Sequence, residues 1–190
     1  ITTKMTTLNP GGFLIHPGGY RNLVCYKKSV ILYDMTIYYI DKYLQSSDRT
    51  YGQMQQAARS GKQNIVEGLE DKMTSTDTGL HLVNVARGSL QELREDYEDQ
   101  LRSNRLKLWS RDHERFGKML QFCAAHNEVE DYAPYYEKWD KETFCNTALT
   151  LIHQADKGLM TLLQKMEAEF LAEGGVKERM FSARKNKRGF

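Results

Sequence analysis

Arg59 and Lys62 stand three residues apart, with Gln55 one helical turn before Arg59. Residues three and four apart share a helix face. On a helix the three would form a polar stripe carrying two cations. The chemistry open to such a stripe is contact with phosphate oxygens, repeated if copies of the chain assemble. An ordinary solvated face, or ion pairs to the next helix, is the competing reading. A second set of cations closes the chain. Arg179, Arg184, Lys185, Lys187 and Arg188 crowd the tail "VKERMFSARKNKRGF", with Phe181 and Phe190 among them. That density suits an arm for nucleic acid or an acidic partner, the phenylalanines being able to stack on bases. A solubilising end explains it equally.

Acid–base and metal chemistry find less. No Glu-x-x-His pair occurs, so a di-iron bundle site is not encoded in its usual form. His113–Glu114 has no second histidine at the spacing a zinc protease needs. Neither G-x-x-x-x-G-K-[ST] nor G-x-G-x-x-G is present, and His81, His126 and His153 are isolated along the chain. His153 and Asp156 are three apart, which reads as a helix-surface contact. Glu67 near a helix C-terminus is disfavoured by the dipole and calls for a cationic partner, with Arg87 the candidate. Asn64 reads as a side chain bonding helix-end backbone. The expectation is a protein that is not an enzyme and uses no cofactor and no metal.

The elements that must position these residues read as helices. "QQAARSGKQNIVEG", residues 55–68, places Ala57, Ala58, Ser60 and Gly61 together. Small side chains let two helix backbones approach, and Gly61 within a helix costs roughly 1 kcal/mol that close packing would offset. The spacing Tyr51, Met54, Ala58, Gly61, Ile65 gives helix two one apolar face. Ser47 or Asp48 is its candidate cap, and Gly68 is placed to end it. Before it, Leu23, Tyr26, Val30, Tyr33, Ile37, Ile40 and Leu44 form the apolar seam expected of helix one, widened by Val24, Ile31, Met35 and Tyr38. Helix three turns Val83, Ala86, Leu90, Leu93 and Tyr97 inward. A long helix from about Lys141 carries Phe144, Ala148, Leu151, Ala155, Leu159, Leu162, Met166 and Phe170, and ends at Gly174 and Gly175. Between the two, Phe116, Met119, Leu120 and Cys123 suggest a shorter helix. "EVEDYAPYYEKWD" reads as a packed irregular turn.

The expected architecture is therefore all-α: an antiparallel up-down four-helix bundle with a short extra helix or irregular insertion and a basic C-terminal tail. The divisions are an irregular arm at 1–19, rich in Pro and Gly, with Phe13, Leu14 and Ile15 able to pin it; the bundle at 20–173, with the insertion at about 104–140; and the tail at 174–190. With 190 residues, 40% apolar and 27% charged, the chain suffices for one domain with a real core. A net charge of +2 requires any nucleic-acid affinity to come from a local patch. Cys25, Cys123 and Cys145 are odd in number and widely spaced, which argues against a disulfide framework. No apolar run approaches ~18–20 residues, and the first residues lack the basic-then-apolar pattern of a leader. The expected location is the cytoplasm, with no membrane partner.

"YGQMQQAARSGKQNIVEG" resembles the signature of four-helix-bundle proteins encoded in intervening sequences of bacterial ribosomal RNA genes. Gln56, Ala57, Ala58, Asn64, Ile65, Glu67 and Gly68 carry the match. "VARGSLQELRED" is similar to that family's helix-three pattern, through Gly88, Ser89, Leu90, Glu92 and Leu93. "ETFCNTALTLIHQADKGL…FLAEGGVKERMFSAR" resembles its subgroup called four helix bundle suffix domain. Related members include the accessory variability determinant of diversity-generating retroelements. The resemblance implies a homo-oligomeric ring, typically a pentamer, with basic surfaces that bind RNA, DNA or a reverse transcriptase. Ala57, Ala58, Gly61, Asn64, Glu67, Gly68, Gly88 and Ser89 would then be packing and motif residues. The leading expectation is a non-catalytic, oligomeric nucleic-acid-binding bundle, or one that binds a nucleic-acid-processing partner. The alternative is a protein–protein scaffold using the acidic run "QELREDYED" and the aromatic insertion.

Overall fold

Asp48, Ser75 and Asp140 each stand one residue before a long helix and accept a hydrogen bond from its first turn. Thr50 N donates to Asp48 Oδ1 at 2.9 Å, Thr78 N to Ser75 Oγ at 3.2 Å, and Thr143 N to Asp140 Oδ1 at 2.7 Å. Each cap satisfies a backbone donor that the helix itself leaves free. They launch α2 (Arg49–Asp71), α3 (Thr76–Ser103) and α5 (Lys141–Glu173). A single 3₁₀ turn, Tyr20–Asn22, leads into α1 (Val24–Tyr43). The insertion holds α4 (Phe116–Ala125) and two further 3₁₀ turns, Val129–Asp131 and Ala133–Tyr135. The structure, a computed structural model, describes residues 19–72, 74–175, 178, 180–181 and 184–185, and among them no strand occurs. The arm with Phe13, Leu14 and Ile15 lies outside the described residues.

The long helices pack α1 on α2, α2 on α3, α3 on α5 and α5 back on α1, forming a helical bundle. Paired positions fix the directions. Ser60 meets Ser89 at 2.8 Å between hydroxyls, and Gly68 meets Gly79, so α2 and α3 run antiparallel. Gly158 lies against Cys25 while Phe144 lies against Tyr38 and Tyr39, so α1 and α5 are antiparallel too. Thr36 bonds the Tyr97 hydroxyl at 3.1 Å across the interior.

Two expectations about helix limits and faces need correction. Gly68 does not end α2, which continues to Asp71. Gly68 stays buried because a Cβ there would lie 2.9 Å from Gly79 O and 3.0 Å from Val83 N. The missing side chain serves a helix crossing instead of a stop. Gly174 does end α5, at φ 72°, where a Cβ is unfavourable.

The inward face of α1 is also different. Cys25, Lys28, Ser29, Ile31, Leu32, Met35, Thr36, Tyr39 and Ile40 are buried. Leu23, Tyr26, Val30, Tyr33, Ile37 and Leu44 of the expected seam are only half-buried, and Val24 is exposed. Three polar residues on the true core face hide its periodicity. By contrast, the inward residues expected for α2 and α3 are buried, apart from half-buried Tyr51.

Candidate functional site

The motif of α2 builds a seam. Ala57, Ala58 and Gly61 are buried, and a Cβ on Gly61 would come within 2.7 Å of Leu90 Cδ2 on α3. Asn64 Nδ2 donates to Ser60 O at 3.0 Å and Ser60 Oγ at 2.9 Å, and Ser89 Oγ reaches Val85 O at 3.1 Å. Asn64 thus bonds mid-helix backbone and the Ser60–Ser89 pair, not a helix end. Gly88 is exposed, with nothing within 4 Å of an added Cβ, so it does not belong to the packing set. Arg87 does not pair with Glu67. Its Nε and Nη2 donate to the Asp156 carboxylate on α5 at 2.8 and 3.5 Å, which also removes Asp156 from His153. Glu67 is exposed, and no ion pair to it is found among the described residues.

Above this seam lies an open cleft of about 870 Å³ whose rim includes Arg49, Gln53, Gln56, Glu92, Glu95 and Asp96. Burial, with Asp99 and Glu92 adding repulsion, pushes the Asp96 carboxyl up to about 6. The gathered carboxylates suit a cation and repel phosphate. Arg59 is exposed, but Lys62 turns to α1. Its ammonium lies 4.0 Å from the Tyr33 ring centroid. Lys62 also draws down the carboxyl of Asp34, which burial raises more strongly. The expected Arg59–Lys62 strip is therefore divided, since an aromatic face and a half-buried carboxylate hold the lysine better than water does. At the tail, Arg184 and Lys185 are exposed on helical backbone, while Arg179, Lys187 and Arg188 lie outside the described residues.

No family model, curated protein or solved structure matches this chain.

Two groups escaped the sequence reading. Lys28 is 1% exposed, and its ammonium donates to Cys123 O and, at 2.6 Å, to His126 O at the C-terminal end of α4. The Tyr132 hydroxyl donates to the same His126 carbonyl at 3.0 Å. A cation there satisfies helix-end carbonyls and complements the dipole. Burial lowers the Lys28 pKa and pushes the Cys123 thiol up to about 11, so the cysteine is a protonated packing group and no nucleophile. Periodicity holds no signal for this lysine.

The second group is the connector between α3 and α4. Glu142 accepts from Lys107 N at 3.0 Å and Trp109 Nε1 at 2.9 Å, and these bonds hold its carboxyl below the usual range. Asn146 accepts from Trp109 N at 2.8 Å and donates to Lys107 O at 2.9 Å. Trp109 is thereby fixed to α5. His113 lies flat on its ring, with centroids 4.5 Å apart and planes 9° apart. Arg105, Lys107 and Arg111 of this connector and Lys118 at the start of α4 are exposed, and no ion pair to them is found among the described residues. The signal was present in "RSNRLKLWSRDHERFGK", which holds six cations and two carboxylates.

Proposed function

We propose that the protein is a non-catalytic helical-bundle module that binds nucleic acid or a nucleic-acid-processing partner. In this reading the four long helices form an antiparallel up-down bundle of the intervening-sequence and suffix-domain kind. Copies gather into a homo-oligomer such as a pentamer. The observation that carries it is the separation of charge. Carboxylates collect in the α2–α3 cleft, while Arg105, Lys107 and Arg111 of the α3–α4 connector and Lys118 of α4 stand exposed, with no ion pair to them found among the described residues. Such cations release counterions when they meet phosphates.

Binding of the full chain to random-sequence RNA and DNA across a salt series tests this. The expected result is affinity that falls steeply with salt. Absence of binding even at low salt would overturn it and favour a protein–protein scaffold. The observation behind that second reading is the carboxylate cleft, which suits a basic protein surface. Light scattering coupled to size exclusion tests the oligomer, for which a compact monomer is the contrary outcome.

A further inference from the structure

The connector combines two features that a merely solvated loop does not need. Its backbone is fixed at two successive points. Asn146 brackets it by pairing with Lys107 O and Trp109 N, and Glu142 holds Lys107 N and the indole N–H. This support orders Trp109, which is only 6% exposed, and the ordered indole carries His113 flat upon it. Arg115 N donates to His113 Nδ1 at 3.3 Å, which sets the ring's orientation. The inner face of the imidazole is covered by indole, and the half-buried ring keeps part of its surface toward solvent. The result is a rigid π-platform at the surface.

The second feature is the charge of the same stretch, where cations outnumber the carboxylates Asp112 and Glu114 that flank His113. Arg105, Lys107, Arg111 and Lys118 are all exposed. The ion pairs found nearby are Arg102 with Asp99 and a 3.8 Å contact between Arg115 and its neighbour Glu114. Arg105 also adopts φ 56°, a left-handed backbone that turns the chain sharply as it leaves α3. Leu108 beside it is 57% exposed, an apolar group next to the platform.

We propose that this connector is a binding site for single-stranded nucleic acid. Arg105, Lys107, Arg111 and Lys118 contact successive phosphates, and one unpaired base stacks on His113. A duplex hides its base faces within its own stack, so a flat ring on a stretch where cations outnumber carboxylates favours a single strand. The proposal rests on the nucleic-acid reading above and assigns it a place, away from both Arg59 and the tail.

The test uses the full chain with fluorescently labelled oligo(dT) and oligo(U) of about 16 nucleotides, beside a duplex of equal length. Anisotropy is recorded over a salt series. Replacing Arg105, Lys107, Arg111 and Lys118 together by Gln is expected to weaken single-strand binding about a hundredfold at low salt. It should also flatten the log–log salt slope by roughly 3. His113→Ala is expected to weaken binding about tenfold with the slope unchanged, while His113→Phe retains affinity. Unchanged thermal melting of each variant separates these effects from unfolding. A wild-type chain that binds nothing overturns both this site and the broader reading. Binding that survives the fourfold change but is lost on replacing Arg59 or the tail cations overturns the site alone. Equal affinity for duplex and single strand, with His113→Ala silent, overturns the stacking assignment.

Discussion

The α2–α3 seam and the face where α1 meets α4 both exclude solvent, by opposite means. At the seam, side chains are removed. Ala57, Ala58, Gly61, Gly68 and Gly79 bring two backbones together until Gly68 and Gly79 almost touch. At the α1–α4 face, side chains are added. Lys28 crosses to the α4 carbonyls, and Phe122, Tyr132, Tyr135 and Trp139 stack edge-on and flat on one another. The first design tolerates no extra atom. The second depends on a donor that must find its acceptors. A sequence reader sees the first as a run of small letters and misreads the second as a polar face.

Substitutions can break each side of that contrast. The largest effect is expected at Gly79→Ala, whose Cβ would lie 2.6 Å from Gly68 O and 2.9 Å from Lys72 Cα. Backbone cannot step aside as a side chain can, so the loss should be about 3 kcal/mol in denaturant unfolding. An unchanged midpoint would disprove the close crossing. Next, Lys28→Met removes donors from Cys123 O and His126 O and should cost about 2 kcal/mol. Amide exchange should quicken in α4 before it does in α2 and α3. A neutral result would mean that the cost of burying the ammonium equals its worth.

Asp96→Asn should act in the other direction. The folded pKa of Asp96 lies at about 6, above the ordinary carboxylate value of about 4. The folded chain therefore binds this proton more tightly than the unfolded chain does. Stability falls as pH rises through that window, and the whole cost is present at pH 7. Asn should add about 1 kcal/mol at pH 7 after allowance for solvent screening, and nothing at pH 4. A gain that is the same at both pH values would show that the half-buried charge is not its source. The smallest effect sharpens the seam. Gly88→Ala meets no atom within 4 Å and should stabilise by about 0.5–1 kcal/mol through helix propensity alone. Loss of stability there would mean that Gly88 packs after all, against another copy of the chain.

What was legible in the sequence follows the same division. The start of α2 at Ser47 or Asp48, of which Asp48 is the cap, and the inward residues of α3 were readable, because capping and 3.6-residue periodicity are local. The α2–α3 packing was readable in Ala57, Ala58 and Gly61, small residues gathered on one stretch of helix, although Gly88, equally small, packs against nothing. The face of α1 was not, since Lys28, Ser29 and Thr36 lie inward and their partners are about 60 to 98 residues away or one turn back. The cations of the connector were visible as letters. Their site was not, because Asn146 and Glu142, which order Trp109, are read as ordinary residues of α5. Arg59 and Lys62 looked equivalent, and only the tertiary position of Tyr33 separates them.

The tight crossing between α2 and α3 has a consequence for how the chain reaches its native state. Gly68 and Gly79 are joined by a short turn, so little loop entropy is lost when they meet. Lys28 and His126, by contrast, must find one another across 98 residues of chain. The hairpin of α2 and α3 is therefore the natural first structure, a firm surface on which α1 and α5 later settle. The insertion is then expected to fasten last, which pulse-labelled amide exchange during refolding would show as late protection of α4.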